Sequence, residues 1–290
     1  MSARSSVYRV ASVQMVFAPT IEENLRKIDS AAELAAQRGA RTALFPECAT
    51  TGYRFDFSSL KPAPLRAALH QVAAIARRRR INVLVGSPVF RGRKLFNCLV
   101  VASRTGRLVY CYAKNQLTPM DCMFASGNNV ALFELDGIPM TTIICHERRY
   151  PELVRLAVMA GAKILWHPNA GLDDPAVSKA KRGGRDGVAA RAFENAVHYV
   201  FANTVGPQGG DKWSAGDSKI VAPDENVLAL ADNQREAVIT ADLDLSQATR
   251  IYAERSLQRP PFLAPHWRRM VAAVRRQAKR ESDGFLKALG

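Results

Sequence analysis

Residues 131–170, ALFELDGIPMTTIICHERRYPELVRLAVMAGAKILWHPNA, decide the fold. Apolar runs at 131–135 and 138–145 flank Asp136-Gly137, a pair that suits the left-handed backbone of a tight hairpin turn. Pro151, with its fixed φ, opens the amphipathic stretch PELVRLAVMAG, and Gly161 closes it. The apolar segment 163–170 then reads as another strand. Strand, turn, strand, helix and strand in this order predict an α/β protein with added hairpins.

The same grammar extends in both directions. VYRVASVQMV (7–16) is apolar on both faces, as a strand buried on both sides should be. Thr20 and Glu23 form a capping box ahead of Ile21, Leu25, Ile28 and Leu34, which share one helix face up to Gly39. TALFPE (42–47) is a strand that stops at Pro46 and leaves Glu47 at its C-terminal end. A helix over 64–80 and strands over 82–88, 97–103 and 108–114 follow, the last delivering Lys114. Helix 187–197 and strands 198–205, 218–223, 226–230 and 237–243 complete the pattern. QRPPFLAP (258–265) reads as a linker, so residues 1–257 are expected to form the main domain and 258–290 a basic, helical C-terminal extension packed on the body or on a partner subunit.

Composition narrows the function. The chain has 290 residues, 48% hydrophobic and 23% charged, with no apolar run near the roughly 20 residues of a membrane span. Its polar lead passes directly into a strand without a signal-peptide core, which predicts a cytoplasmic protein. Five cysteines, at 48, 98, 111, 122 and 145, include no CxxC pair and suit neither a disulfide framework nor a thiolate zinc site. The net charge of +15 is concentrated in Arg77–Arg80 and between Arg268 and Arg280. The first run closes a helix, where cations complement the dipole, and the second interleaves with Met270, Val271 and Val274 on an amphipathic helix. Solvated helix faces are the preferred reading over a nucleic-acid site, and the Gly-rich basic loop 179–187 is a candidate rim for anionic substrates.

Glu47, Lys114 and Cys145 each follow an apolar strand, so a shared sheet architecture would bring them together. A thiol with an ordinary pKa of about 8.5 needs a base at neutral pH, and a carboxylate within hydrogen-bond reach can take its proton and return it to a leaving amine. A lysine offsets the repulsion between carboxylate and thiolate and stabilises an oxyanion; backbone N–H groups after Cys145, such as that of His146, could add donors. Each residue alone has an ordinary structural reading. His146 beside Cys145 invites a Cys–His pairing, but neighbouring residues at a strand end point in different directions.

These stretches resemble the nitrilase, or carbon-nitrogen hydrolase, superfamily from about Val7 to Leu245. LFPECATTGY matches its glutamate motif, YAKNQLT its lysine motif and IICHERRYPE its cysteine motif, in the expected order. ARAFENAVHYVFANTVG and GDSKIVAPDENVLALA are similar to its later segments. The resemblance implies a four-layer αββα sandwich, dimers packed through helices, no metal or organic cofactor, and hydrolysis of a small amide through a Cys145 thioester, with Glu47 as base and Lys114 as partner. An amidase or N-carbamoyl amide hydrolase is expected. The alternatives are a nitrilase, or a catalytically silent member whose basic surface binds nucleic acid or acidic partners. Asp121 stands nearest to a second glutamate of many relatives, Gln116 replaces a histidine, and His146-Glu147 replaces an aromatic-aspartate pair. Tyr53, Asp121, His146, Glu147, Trp166 and Asn169 are the candidate auxiliary or substrate-contacting residues.

Overall fold

Two six-stranded sheets face each other. In the first, β1 (Val7–Gln14), β2 (Thr42–Leu44), β3 (Asn82–Arg91), β4 (Lys94–Ala102), β5 (Leu108–Ala113) and β14 (Ala237–Asp244) run in the order β14-β1-β2-β3-β4-β5. In the second, β6 (Phe133–Leu135), β7 (Ile138–Thr142), β8 (Ile164–Pro168), β9 (His198–Ala202), β12 (Lys219–Val221) and β13 (Val227–Leu230) run in the order β13-β12-β9-β8-β7-β6. A short ribbon pairs β10 (Val205–Pro207) with β11 (Trp213–Ala215). This computed structural model describes residues 7–53, 56–180, 188–208 and 211–290; the lead 1–6 and residues 181–187 of the basic loop lie outside the described residues.

Apart from the largely exposed edge strand β13, both faces of each sheet are covered, which is why the strands read as continuous apolar runs. Between the sheets, Val10, Leu44, Leu84 and Leu99 meet Met140, Ile164, Trp166 and Val200. Ala11, Val13, Val83 and Val85 turn outward against α1 (Ile21–Gln37) and α2 (Pro62–Arg79). Leu165, Tyr199 and Val221 turn outward on the other side, against α3 (Pro151–Met159), α5 (Val188–Asn195) and α6 (Ile251–Ser256). The result is the expected αββα sandwich. Thr20 and Glu23 form both halves of the capping box ahead of α1. The arginines closing α2 ion-pair with α1: Arg78 and Arg79 both reach Asp29 at 2.8 Å.

The hairpin turn between β6 and β7 locks one end of the sandwich. Asp136 and Gly137 both have positive φ, at 54° and 78°. The Asp136 carboxylate accepts hydrogen bonds from Tyr8 Oη at 3.0 Å and Asn82 Nδ2 at 2.9 Å, both in the opposite sheet. The sheets are thereby tied together at the rim opposite Glu47, Lys114 and Cys145.

Several short elements are not evident from the sequence pattern, among them α4 (Pro175–Ala180), β11 and α6 (Ile251–Ser256). The helix after the linker-like stretch packs on the body. After α6 the chain turns through 260–263 and enters α7 (Ala264–Leu289), which crosses two layers. Val271 and Val274 pack with α3, whereas Phe285 and Leu289 join the core of the first sheet. Phe285 is 2% exposed and meets Phe96 edge-on at 5.0 Å. Phe285→Ala is therefore expected to cost about 3–5 kcal/mol in urea unfolding, the range for emptying a buried aromatic site; a loss below 1 kcal/mol would mean that this helix end is not part of the core.

Candidate active site

The chain leaves β2 at Leu44, and Glu47 and Cys48 form a tight turn against β3, Cys48 in the left-handed region at φ 53°. Gly86 of β3 makes room for it. A Cβ at that position would lie 2.3 Å from the Pro46 carbonyl oxygen and 2.5 Å from the Cys48 nitrogen, so only glycine allows the approach. The Glu47 carboxylate is 1% exposed, and both oxygens are held. Oε1 accepts from Asn97 Nδ2 at 2.7 Å and Lys114 Nζ at 2.9 Å; Oε2 accepts from the Ala170 N–H at 3.1 Å.

Lys114 follows β5, its N–H donating to the Asn97 carbonyl at 2.8 Å. Its ammonium also donates to Asp121 Oδ2 at 2.9 Å. Asp121 is the last residue of a 3₁₀ turn (Pro119–Asp121) and accepts further bonds from the Thr118 N–H and the Tyr53 hydroxyl, at 2.8 and 2.9 Å. The shorter acid thus reaches Lys114 directly. Burial alone would strip the charge from Lys114, but Glu47, Cys145 and Asp121 together outweigh it and raise its pKa well above the ordinary lysine value. Asp121 is likewise opposed by burial yet held below the usual carboxylate range by Lys114 and the Thr118 N–H.

Cys145 lies past the end of β7, at the first position of a 3₁₀ turn (Cys145–Arg149), with φ at 52°. Glu147 fixes this turn from beneath. Its Oε2 accepts from the Ile144 N–H at 2.7 Å, and its Oε1 accepts from the Asn115 N–H at 2.7 Å and the Tyr112 hydroxyl at 2.9 Å. One buried carboxylate therefore ties the turn carrying Cys145 to the segment carrying Lys114, although burial pushes its pKa up to about 7 against these donors. The Cys145 thiol is itself pushed up to about 12, first by burial and then by the Glu47 carboxylate, with Lys114 and Arg148 opposing. It rests protonated, and a neighbouring base has a proton to remove.

Glu47, Lys114 and Cys145 line one cavity of about 420 Å³. Tyr53, His146 and Asn169 share its wall, while Asp121 stands behind Lys114. Asn169 Nδ2 donates to Asn203 Oδ1 at 2.8 Å, and its own Oδ1 has no partner among the described residues. Two more of the candidate auxiliary or substrate-contacting residues do not line the cavity. Trp166 is fully buried between the sheets, its indole N–H directed at Met140 Sδ at 3.1 Å, because strand alternation turns it inward. Glu147 is beneath the cavity rather than on its wall. Sequence reasoning missed Asn97, His167, Asn203 and Arg148; the polar residues inside the apolar runs 97–103, 163–170 and 198–205 were the visible trace of the first three. Among the described residues, no cluster of three or more His, Cys, Asp or Glu side chains is arranged to hold a metal ion, and no helix is long and apolar enough to cross a membrane.

Two facing sheets between helices, with a cysteine, a carboxylate and an ammonium converging on one rim, define a hydrolase built around a thiol. The family model of the carbon-nitrogen hydrolases matches residues 9–253, and the chain belongs to that family, within the nitrilase superfamily. It is 28% identical over 247 residues to a nitrilase of Pyrococcus abyssi, covering 82% of this chain and 90% of the relative. It is 26% identical over 238 residues to a 2-oxoglutaramate amidase of Bacillus subtilis, covering 79% and 87%. A mutant of the Nesterenkonia AN1 amidase from the nitrilase superfamily superposes with a TM-score of 0.77 at 26% identity, covering 91% of this chain and 98% of that one. Cys145 fits the catalytic cysteine of the superfamily.

Two outcomes follow from this geometry. Alkylation of Cys145 by iodoacetamide, followed by peptide mass mapping, should accelerate about tenfold per pH unit between pH 6 and 9, because only the thiolate reacts; a plateau near neutrality would show a thiol of low pKa. Gly86→Ala, by pushing the Glu47 turn off β3, should lower hydrolytic activity about 100-fold, the scale of an ångström-sized misplacement, with circular dichroism unchanged. Wild-type rates in that variant would show that the close approach is dispensable.

Proposed function

We propose that this protein is an amidase that hydrolyses the terminal carboxamide of a small acyl compound and releases ammonia, with Cys145 as nucleophile, Glu47 as general base and Lys114 as cationic partner. The observation that carries this reading is the shared cavity in which Cys145 lies beside a Glu47–Lys114 pair 2.9 Å apart. Glu47 takes the thiol proton as Sγ attacks the carbonyl carbon. An ammonium has three N–H donors, and Lys114 directs two at Glu47 and Asp121, leaving the third for the oxyanion. Collapse of the tetrahedral intermediate expels ammonia, protonated by Glu47, and leaves a thioester. Glu47 then deprotonates water for attack on the thioester, and the acid product leaves as the thiol is restored.

Arg148 and Arg149 also line the cavity, and among the described residues neither has an ion-pair partner. Together with the 2-oxoglutaramate amidase among the relatives, they support a substrate carrying a carboxylate at the end remote from the amide. The nitrilase relative supports a second reading, attack on a nitrile in the same cavity. The proposal extends to a cytoplasmic homodimer or larger homo-oligomer, with residues 1–257 as the hydrolase domain and 258–290 as its extension. Phe193, Ile251 and Tyr252, exposed on α5 and α6, support pairing through helix faces.

Ammonia release from a panel of ω-amides of dicarboxylic acids, neutral amides, N-carbamoyl compounds and nitriles tests the reading. The acidic ω-amides should show kcat/KM at least about tenfold above neutral amides of equal length, the lower end of what a charged hydrogen bond contributes. Arg149→Met should remove that preference, and Cys145→Ala should abolish turnover. Turnover of nitriles alone would favour the second reading; an inert panel would refute both.

A further inference from the structure

We propose that His167 is a positioning residue that holds the carbonyl of Cys145 and thereby aims the backbone N–H of His146 into the cavity as an oxyanion donor. This rests on the hydrolytic mechanism above and adds to it a residue that does not touch the substrate. On β8, Ile164 and Trp166 face the space between the sheets, so His167 lies on the opposite face with Leu165. It is fully buried there, packed against the Phe201 ring at 4.9 Å between centroids. A buried imidazole is tolerable only when both nitrogens are matched, and here they are. Nε2 lies 3.0 Å from the Cys145 carbonyl oxygen and Nδ1 lies 2.8 Å from the Tyr199 hydroxyl.

A carbonyl oxygen can only accept, so Nε2 carries the proton, and Nδ1, with its lone pair, accepts from Tyr199. Burial keeps the ring neutral, moving its pKa well below the ordinary value, with Arg148 acting in the same direction. Arg148 also places an N–H 3.5 Å from the Cys145 carbonyl, a longer contact than that of His167.

The geometry of the peptide group supplies the functional link. In a trans peptide the carbonyl and the following N–H point in opposite directions. Pinning the Cys145 carbonyl to His167 therefore directs the His146 N–H away from His167, on the side where Cys145 and His146 line the cavity. Among the described residues that N–H has no acceptor. The turn is thus gripped from both sides: Glu147 holds the Ile144 N–H before Cys145, and His167 holds the carbonyl after it. This grip sustains a non-glycine residue at φ 52°, a conformation that persists only where the surroundings fix it.

The test compares wild type with His167→Leu, His167→Gln and Tyr199→Phe, each verified as folded by circular dichroism. Loss of one oxyanion donor lowers kcat about 100- to 1,000-fold, so His167→Leu, which leaves the donor misaimed, should lower kcat at least about 30-fold with KM within threefold. His167→Gln, which restores an N–H of similar reach, should recover at least about tenfold of that loss, and Tyr199→Phe should fall between. A His167→Leu enzyme with kcat within twofold of wild type, or a glutamine variant no better than leucine, would overturn the proposal. Nuclear magnetic resonance of ¹⁵N-histidine-labelled protein provides a readout that needs no substrate: His167 should remain neutral with its proton on Nε2 from pH 5 to 8. A proton on Nδ1, or a charged ring in that interval, refutes the positioning role even if the amidase reading stands. An inert wild type with the expected spectrum would refute the amidase reading alone.

Discussion

The site depends on one ammonium group that has been removed from water. Lys114 is 1% exposed and lies between two carboxylates that are equally buried, Glu47 and Asp121, each at 2.9 Å. An isolated charge in such a place is untenable, and the mutual attraction repays desolvation only when the geometry is good and the remaining hydrogen bonds are made. Asn97, the Ala170 N–H, Thr118 and Tyr53 make them. None of the three charges can be buried without the others, so the end of β2, the end of β5 and the 119–121 turn must all be in register before any one is stable. Well-packed apolar residues would stabilise a fold at least as well; what the cluster adds is chemistry. Burial first, and then the excess negative charge of two carboxylates to one ammonium, holds the pKa of the adjacent thiol up.

Precision in this site comes from residues outside its own cavity. Gly86 lets one backbone lie against another, Glu147 bridges two segments, and Asp136 ties the sheets at the far rim. The large positive charge is managed separately. Arginines on α2 pair with acids on α1, and those on α7 alternate with the valines that seat this helix on α3.

Much of this was legible in the sequence because a single rule applied repeatedly: a reactive side chain directly after an apolar strand. That rule located Glu47, Lys114 and Cys145, and the hairpin and helix around Cys145 identified the α/β class. It failed where the same pattern has two outcomes. Trp166 and His167 are neighbours on β8, and nothing in KILWHPNA shows which of them faces the partner sheet and which faces the nucleophile's turn. Asn97 and Asn203 sit in runs that read only as strands, yet both act as supports, because their partners, Glu47 and Asn169, are remote along the chain. Asp121 could be located but not judged, because its reach depends on a 3₁₀ turn that three residues do not announce. The prolines of 258–265 showed that the chain changes direction there, but not which layers the helix after them would join.

The pairing of β1 with β14 has a consequence for how this molecule is made. Val7 lies opposite Asp244, and the register continues to Gln14 opposite Ala237, so β1 acquires this neighbour only after everything between Gln14 and Ala237 has been made. At roughly 5–20 residues per second, translation leaves that edge of β1 without its partner for tens of seconds. During that interval the nascent chain exposes an unpaired apolar strand, the kind of surface that recruits other strands and aggregates. Folding yield then becomes a matter of timing as well as of the strength of the finished sandwich.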